Sequence, residues 1–285
     1  MNVLLLSIDC LRYDSLGVFG NKNHLTPFLD SVSEQCIIFT QAHSTGPYTQ
    51  ASFPGILTSS YYLDFGRTPY LSTQRTLISE VLQKNGIVTA AFHSNPYLSE
   101  FFGWNRGWNT FYDSMNEEVS EKQPFISGHA INMKVRNWFK TKKEGPFFLW
   151  VHYMDVHEPY IPKKEYLNSV YPELDINEDE MFTLFKEVLL KRDISDKNKV
   201  LLLKKLYDAK VREVDDYVKE LFAILEEFSL LKDTWIIILS DHGDEFSEHG
   251  GLSHDGKMYE ELIHVPLLIR HPSEKKKIFY NKFVS

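Results

Sequence analysis

Three segments of the chain are almost entirely apolar, and each ends at residue types that commonly bind metals. The apolar runs cover residues 3–8, 147–154 and 235–240. Runs of this length are typical of strands buried on both faces, as in a parallel sheet. Because ligands of such sheets bind beyond the carboxyl ends of the strands, the residues that follow the three runs should meet at one sheet edge.

The residues at these ends predict a metal site. Asp9 follows the first run, His157 follows the second, and Asp241 and His242 follow the third. We expect Asp9, Asp241 and His242 to be ligands, with His157 nearby. The alternatives are ordinary for strand ends: Asp9 would cap a loop, and Asp241 and His242 would form a hydrogen-bonded loop pair.

Helical patterns lie between the strands. Residues 201–228 keep apolar positions at helical spacing, and shorter helices are predicted at 51–57, 77–84 and 130–140. The alternation predicts an α/β fold, a doubly wound and mostly parallel sheet with helices on both faces. We expect a single domain over 1–285, with a last strand at 265–269.

Two segments do not follow this pattern. The charged stretch 163–200 is a candidate cap or lid insertion, helical around 180–191. The aromatic and glycine-rich stretch 101–113 is expected to form a surface loop, in which Trp104 and Trp108 line a pocket rim or belong to the core.

Composition narrows the function classes. The chain has 285 residues and a net charge of −8, which gives no electrostatic reason to expect a nucleic-acid partner. Its two cysteines, Cys10 and Cys36, form no disulfide framework and are interpreted as small buried hydrophobic residues. The apolar N-terminal run is too short for a membrane span, so a cytoplasmic enzyme is expected. The sequence does not indicate an oligomeric state.

Four ordered segments carry a family resemblance. The opening strand of one family, which binds a metal, resembles residues 7–14, and its nucleophile segment resembles residues 46–59. Its middle His motif resembles residues 153–160, and its second metal and Lys motifs resemble residues 240–261. That family is the sulfatase-like branch of the alkaline phosphatase superfamily. The resemblance runs from end to end and implies an alkaline phosphatase-like fold. The family's small C-terminal subdomain is expected to be missing, because the chain ends soon after the 265–269 strand.

The nucleophile position departs from the sulfatase pattern. The family's sulfatases carry a Cys or Ser there that is oxidised to formylglycine, a conversion that Thr49 cannot undergo. Thr49 resembles the phosphodiesterase, phosphotransferase and phosphonate-cleaving members, which use the hydroxyl directly. Ala51 and Phe53 replace the usual Pro and basic residue of that segment. The simpler alternative for Thr49 is a helix N-cap.

The resemblance implies one divalent metal held by Asp9, Thr49, Asp241 and His242. Three oxygen donors and one nitrogen donor favour Zn or Mn over Ca or Mg. A metal beside Thr49 would lower the pKa of its hydroxyl and make it a nucleophile, so that attack on phosphorus gives a phospho-Thr49 intermediate.

Five further residues are candidates for the reaction. The resemblance implies catalytic roles for His157, which would protonate a leaving group or hold a phosphoryl oxygen, and for Lys257, which would face the substrate anion. His249 is a candidate acid, and Asn95 and His254 are candidate substrate-binding residues. The alternatives are structural or exposed histidines, a solvated lysine and a turn asparagine.

The leading hypothesis is a metal-dependent hydrolase or transferase that acts through Thr49 on phosphate monoesters, phosphate diesters or phosphonates. The expected partner is a small-molecule or glycan ester. The alternatives are a sulfate-ester hydrolase that uses unmodified Thr49, and a catalytically silent member of the family that still binds a metal.

Overall fold

The structure is a computed structural model that describes residues 1–274 and 276–285. Within these residues, one sheet of eight strands has the order β10-β2-β9-β6-β1-β5-β3-β4, and a separate two-stranded ribbon pairs β7 with β8. The strands are β1 (Asn2–Ile8), β2 (Cys36–Phe39), β3 (Val88–Phe92), β4 (Thr110–Tyr112), β5 (Phe147–Tyr153), β6 (Thr234–Ser240), β7 (Glu245–Phe246), β8 (Leu252–Ser253), β9 (Leu267–Arg270) and β10 (Ile278–Tyr280).

The three apolar runs form the centre of the sheet. β1 lies between β5 and β6 and pairs with both in parallel, and β3 and β4 continue the parallel arrangement beyond β5. The predicted last strand at 265–269 corresponds to β9, which begins at Leu267 and runs antiparallel to both β6 and β2. The predicted α/β fold with a mostly parallel sheet is therefore confirmed.

Helices cover the sheet on both faces. They are α1 (Pro27–Ser33), α2 (Thr49–Thr58), α3 (Ile78–Lys84), α4 (Gly128–Thr141), α5 (Lys164–Val170), α6 (Glu178–Phe185), α7 (Lys197–Glu227) and α8 (Glu260–Ile263). Successive side chains of a strand point to opposite faces, so the central strands supply two cores. Leu4, Leu6 and Ile8 of β1 belong to the larger hydrophobic cluster, and Leu5 belongs to a second cluster.

The 163–200 segment packs onto the body of the protein. It contains α5, α6 and a single π-helical turn over Lys186–Leu190. The buried side chains Leu167, Met181 and Leu184 join the larger cluster together with those of α7. This segment therefore shares the main core, and a role as a cap or lid stays a prediction.

The expectation of a surface loop at 101–113 holds only in part, because Phe101 is exposed but Trp104 and Trp108 belong to the core, which was the alternative for them. Trp104 and Trp108 are buried, and they pack with Phe53 and Trp150 in the second cluster. The segment also contributes β4, which pairs with β3. The glycines that suggested a loop allow tight turns between aromatic side chains that face inward, and Gly103 and Gly107 both have positive φ.

No helix among residues 1–274 and 276–285 has both the length and the apolar character needed to cross a bilayer.

Candidate active site

The strand register brings the predicted ligands to one edge of the sheet. Ile8, the last residue of β1, pairs with Ser240 at the end of β6 and with Tyr153 at the end of β5. The next residues along β1 and β6 are Asp9 and Asp241, so these two carboxylates emerge side by side. Both are completely buried.

All four predicted metal ligands meet at this point. His242 Nε2 lies 3.6 Å from Asp9 Oδ1 and 3.4 Å from Asp241 Oδ2. Thr49 Oγ1 lies 3.4 Å from Asp9 Oδ2 and 3.5 Å from His242 Nε2. Residues separated by up to 233 positions in the sequence, from Asp9 to His242, therefore place their donor atoms around one small space.

The spacing of these donor atoms fits a divalent cation. Ligand atoms about 2.0–2.2 Å from a tetrahedral zinc are about 3.3–3.6 Å apart, close to the separations within this group. Neither carboxylate oxygen of Asp241 has a hydrogen-bond partner among the described residues. A buried carboxylate without donors is unfavourable unless a cation compensates it. The residues present thus fit a bound metal, and their mixed oxygen and nitrogen donors suit Zn or Mn.

The protonation states also suit a cation. His242 Nδ1 lies 3.0 Å from the Gly243 carbonyl, to which it donates, and this leaves the Nε2 lone pair facing the carboxylates. Burial, reinforced by the nearby His254, lowers the pKa of His242 to about 4, so the ring is neutral. Burial and the neighbouring Asp9 charge raise the pKa of Asp241. A cation would favour the ionised form of both acids.

Thr49 is the first residue of α2 and its hydroxyl faces the two acids. Tyr48, which precedes it, occupies the N-cap position, so the N-cap alternative for Thr49 does not describe the structure. The Asn95 side chain completes this part of the site, with Nδ2 3.0 Å from Asp9 Oδ2 and 3.4 Å from Thr49 Oγ1. The free N–H groups at the start of α2 favour an anion beside the Thr49 hydroxyl.

Two predicted histidines lie next to this group. His157 has a ring nitrogen in a group of potential ligand atoms with Asp9 and Cys10, all within 4.8 Å of one another. The His254 ring packs against His157 and His242, at centroid distances of 5.1 Å and 4.4 Å. His254 and His157 therefore lie beside the predicted ligands Asp9 and His242, and their roles toward a substrate stay predictions.

Asp244, which the sequence analysis gave no role, orients His254. Its Oδ1 lies 2.7 Å from His254 Nδ1, and its Oδ2 accepts a hydrogen bond from the Tyr160 hydroxyl. Although burial opposes protonation, the Asp244 carboxylate raises the pKa of His254 to about 9. His254 is therefore cationic at neutral pH and can face an anionic ester.

Lys257 and His249 have other immediate partners. Lys257 Nζ lies 3.2 Å from Glu245 Oε2, and the His249 ring stacks on Tyr259 and lies 3.3 Å from Glu261. His249 lies between β7 and β8, and Lys257 lies in the segment that follows β8. Their catalytic roles stay predictions.

Cys10 is more than the core filler that the sequence suggested. Its Sγ lies 3.0 Å from Asp9 Oδ1 and 3.6 Å from His254 Nδ1. The backbone at Cys10 has a φ of 58°, in the left-handed region, and turns the chain sharply after β1. Burial and the surrounding acids raise the pKa of the thiol, so Cys10 is a neutral donor beside Asp9.

His152 was also missed, because it lies inside an apolar run. Its Nε2 is 3.3 Å from Asp9 Oδ2, and its Nδ1 is 2.9 Å from the Ser7 hydroxyl. Phe53, at the position where the family carries a basic residue, packs its ring edge against His152 at a centroid distance of 5.1 Å. Phe53 thus supports Asp9 through His152. The sequence feature that could have identified His152 is that it is a polar residue inside an otherwise apolar strand.

Asp155 follows β5 but faces away from this group. Its Oδ2 accepts a hydrogen bond from the Gly128 N–H at 2.8 Å, and Lys210 lies 4.0 Å from its Oδ1. Burial, with the Glu213 charge adding to it, raises the pKa of Asp155 to about 6.

This pKa predicts a pH dependence of stability. Between about pH 4 and pH 6 the unfolded carboxyl has released its proton while the native one keeps it, so raising the pH through this window destabilises the protein. We expect Asp155→Asn to remove up to about 3 kcal/mol of this change. Urea unfolding of both proteins at pH 4.5 and pH 7 measures it, and equal pH dependence in the two proteins would contradict it.

Comparisons with known proteins identify a family and a shared fold. The sequence profile of the Sulfatase family matches residues 1–285. The arylsulfatase of Clostridium perfringens is 24% identical, with 98% of this chain and 71% of that protein covered. The chain covers 57% and 64% of two further curated sulfatases.

Two crystal structures share the fold. The phosphonate monoester hydrolase of Agrobacterium radiobacter superposes with a TM-score of 0.74 and 18% identity, with 100% of this chain and 71% of that chain covered. The C-terminal periplasmic domain of EcEptC from Escherichia coli, in complex with Zn, superposes with a TM-score of 0.69 and 14% identity, with 97% and 73% covered.

Proposed function

Since the chain belongs to the sulfatase family, we propose that it is a metal-dependent hydrolase or transferase that acts on phosphate esters or phosphonates through Thr49. The substrates would be small-molecule or glycan esters. Phosphoryl transfer is favoured over sulfate hydrolysis because Thr49 cannot become formylglycine.

One observation carries this proposal. The Thr49 hydroxyl lies at the start of a helix and within 3.5 Å of donor atoms from both Asp9 and His242. Beside it, the buried Asp241 has no donor for either carboxylate oxygen among the described residues. A nucleophile position and a cation position are thus adjacent, as direct attack on an anionic ester requires.

The residues of the chain have separate tasks in this reaction. Thr49 Oγ1 gives its proton to the Asp9 carboxylate or to water and attacks phosphorus. The bond from phosphorus to the ester oxygen breaks, and that oxygen takes a proton from His157 or His254. The Asn95 amide and the α2 N–H groups hold the phosphoryl oxygens. Water or an acceptor hydroxyl then releases the phosphoryl group from phospho-Thr49. A bound divalent cation would supply Lewis acidity, which lowers the pKa of the hydroxyl and offsets the charge on the phosphoryl oxygens.

Zn and Mn are the proposed metals. A neutral imidazole with two carboxylates and a hydroxyl is a donor set that these ions accept, whereas Ca prefers an all-oxygen shell. That the EcEptC domain was crystallised with Zn supports the same assignment.

Sulfate-ester hydrolysis is the second candidate. The family match and the name of the Clostridium perfringens relative favour it. It would require unmodified Thr49 to attack sulfur directly. A silent metal-binding protein is the third candidate, and the loss of the basic residue at Phe53 favours it.

A substrate panel distinguishes the three candidates. Metal-free protein is loaded with Zn, Mn, Mg or Ca and assayed with 4-nitrophenyl phosphate, bis(4-nitrophenyl) phosphate, 4-nitrophenyl phenylphosphonate and 4-nitrophenyl sulfate. We expect turnover of a phosphorus ester with Zn or Mn, and a mass increase on the peptide containing Thr49 after rapid acid quenching. Turnover of the sulfate alone would support the second candidate, and no turnover would support the third.

A further inference from the structure

A group of three potential metal ligands lies outside the candidate active site. His43 lies shortly after β2, Glu260 is the first residue of α8, and His264 follows the last residue of α8. Each of the three side chains offers one donor atom, and these atoms all lie within 4.8 Å of one another. We call this group the His43 cluster. It shares no residue with the candidate active site.

Two local backbone arrangements hold the His43 cluster together. His43 and His264 are partners in an antiparallel β-bridge. The flanking hydrogen bonds come from the Val265 and Ser44 N–H groups, so this is a non-hydrogen-bonded pair, the type in which opposite side chains lie closest. Glu260 lies four residues before His264, and the His264 N–H donates to the Glu260 carbonyl at 2.8 Å, which closes one helical turn. The backbone therefore directs two imidazoles and one carboxylate to the same place.

One oxygen of Glu260 faces both imidazoles. Glu260 Oε2 lies 3.4 Å from His43 Nε2 and 3.5 Å from His264 Nδ1. These separations match those between ligand atoms around a tetrahedral zinc, which are about 3.3–3.6 Å. Both distances are longer than an ordinary N–H···O hydrogen bond. The spacing therefore suits a shared cation better than direct hydrogen bonds.

The hydrogen bond that His264 makes leaves a lone pair directed at Glu260. His264 Nε2 lies 3.0 Å from the Thr40 carbonyl, which can only accept, so Nε2 carries the hydrogen. Burial, with the nearby His43 adding to it, lowers the pKa of His264, so the ring is neutral at neutral pH and Nδ1 is an acceptor. This acceptor and the Glu260 oxygen repel each other unless a cation lies between them. A ring nitrogen that donates to a backbone carbonyl is also the usual arrangement of a metal-binding histidine.

The His43 ring can adjust to an ion. His43 is only 11% exposed, and its Nδ1 has no hydrogen-bond partner in the described part of the chain, so no bond fixes the ring angle. The planes of the His43 and His264 rings are 9° apart, at a centroid distance of 4.8 Å. Parallel rings cannot direct both lone pairs at one ion, so binding requires the His43 ring to turn about its last torsion, which is soft. Phe283, which stacks on the His43 ring, is 68% exposed and can move with it.

We propose that the His43 cluster binds a second divalent ion, zinc, through His43 Nε2, His264 Nδ1 and a Glu260 oxygen, with water as the fourth ligand. Two imidazoles and one carboxylate suit zinc, and manganese binds such a set more weakly. The ion would join the segment that leads from β2 to Thr49 to the segment that leads from α8 to β9. Glu260 is 74% exposed, so the ion has access from solvent, and the site should fill only after the buried candidate active site.

The experiment counts the metal ions bound to the full chain. Metal-free wild type, Glu260→Gln and His43→Phe are dialysed against Zn or Mn at neutral pH, and the bound metal is measured by elemental mass spectrometry. His43→Phe keeps a ring in the stack but removes a ligand. Glu178→Gln is the matched control, because Glu178 is exposed and is also the first residue of a helix, α6. Within residues 1–274 and 276–285, Glu178 belongs to no group of potential ligands.

We expect the wild type and Glu178→Gln to bind two zinc ions, the second with a Kd at least tenfold above the first, but only one manganese ion. Glu260→Gln and His43→Phe should each weaken the second zinc ion at least tenfold and leave the first unchanged. Asp241→Asn should weaken only the first ion, so failure of the candidate active site is distinguishable from failure of this inference. A single zinc ion on the wild type at about 0.1 mM zinc, where a site with micromolar Kd is full, overturns the inference. A second zinc ion that neither variant weakens also overturns it.

Zinc-loaded crystals give an independent outcome. We expect a second, weaker anomalous peak about 2.0–2.2 Å from His43 Nε2, His264 Nδ1 and a Glu260 oxygen, with the two imidazole planes no longer parallel. A second peak at other side chains, with no peak between these three, contradicts the assignment.

Discussion

Replacing Thr49 by Ala is expected to lower kcat/KM for an aryl phosphoester by about a thousandfold or more, because the hydroxyl next to Asp9 and His242 is lost. The fold should be unchanged, since Tyr48 and not Thr49 occupies the N-cap position of α2. Metal binding should weaken by about tenfold or less, because Asp9, Asp241 and His242 remain. Steady-state kinetics and metal titration of the same preparation give both numbers.

Two matched variants sharpen this test. Thr49→Ser keeps a hydroxyl and should retain far more activity than Thr49→Ala. Thr58→Ala, at the other end of the same helix, removes a hydroxyl that bonds the Pro54 carbonyl and should leave kcat/KM within about threefold of the wild type. Equal activity of Thr49→Ala and the wild type would remove Thr49 from the reaction.

Asp241→Asn should have opposite effects on the metal-free and the metal-loaded protein. The Asp241 carboxylate is buried next to Asp9 and has no donor among the described residues, which costs stability unless a cation is bound. The variant should therefore raise the free energy of unfolding of the metal-free protein by about 1–3 kcal/mol. It should also abolish the stabilisation by metal, which is about 2.7 kcal/mol at a hundredfold excess over Kd.

The sign of this effect with pH follows from the raised pKa of Asp241. A raised native pKa stabilises the fold below the unfolded value near 4, and this contribution is lost as the pH rises. The gain from Asp241→Asn in the metal-free protein should then be larger at pH 8 than at pH 5.

Asp244→Asn is the matched control for Asp241→Asn. Asp244 is equally buried but accepts hydrogen bonds from Tyr160 and His254, so losing its charge should destabilise the metal-free protein. Thermal unfolding with and without Zn or Mn measures both variants. Destabilisation of the metal-free protein by Asp241→Asn, together with undiminished metal stabilisation, would contradict the assignment of Asp241 as a ligand.

The buried acids also explain why the site depends on the rest of the sheet. Although burial opposes ionisation, the neighbouring His152 side chain, whose Nε2 lies 3.3 Å from Asp9 Oδ2, holds the pKa of Asp9 well below its usual value. Such a group is stable only inside a rigid frame, which the paired strands β1, β5 and β6 provide. The buried acids thus lower the stability of the metal-free protein, and in exchange they form a position that can bind a cation next to an anionic ester.

The central strands and the three candidate ligands at their ends could be predicted because their signals are local, whereas Thr49 was indicated only by the family resemblance. An apolar run followed by Asp9 or by Asp241 and His242 is visible without knowledge of any neighbour, and parallel pairing then brings the run ends together. The direction of β9 was not predictable in this way. A strand of four residues reads the same whether it pairs parallel or antiparallel, and its direction follows from the loop after Asp241.

The residues that contact the predicted ligands could be identified only from the three-dimensional structure. His152 belongs to the site only because β5 pairs with β1 beside Asp9, and Cys10 only because the backbone turns after it. Asp244 belongs to the segment 240–261 that carries the family resemblance. Its partner His254 lies ten residues further along the chain, beyond the β7–β8 ribbon, so their contact was not visible in the sequence. Contacts of this kind depend on loop geometry, which periodicity does not encode.

The aromatic segment 101–113 shows a different limit of prediction from sequence. Residues 101–113 combine glycines with aromatic side chains, and either a loop or a packed layer fits that composition. Trp108 stacks against Phe148 at a centroid distance of 5.6 Å, so tertiary packing decided the outcome. The same packing leaves Phe53 inside the core instead of at the substrate.

Anomalous X-ray diffraction from crystals loaded with Zn or Mn tests the central claim most directly. We predict one strong peak about 2.0–2.3 Å from side-chain atoms of Asp9, Asp241 and His242, next to Thr49 Oγ1. A peak on Cys10 and His254 away from Asp241, or a bound metal elsewhere with these four side chains unengaged, would contradict the account.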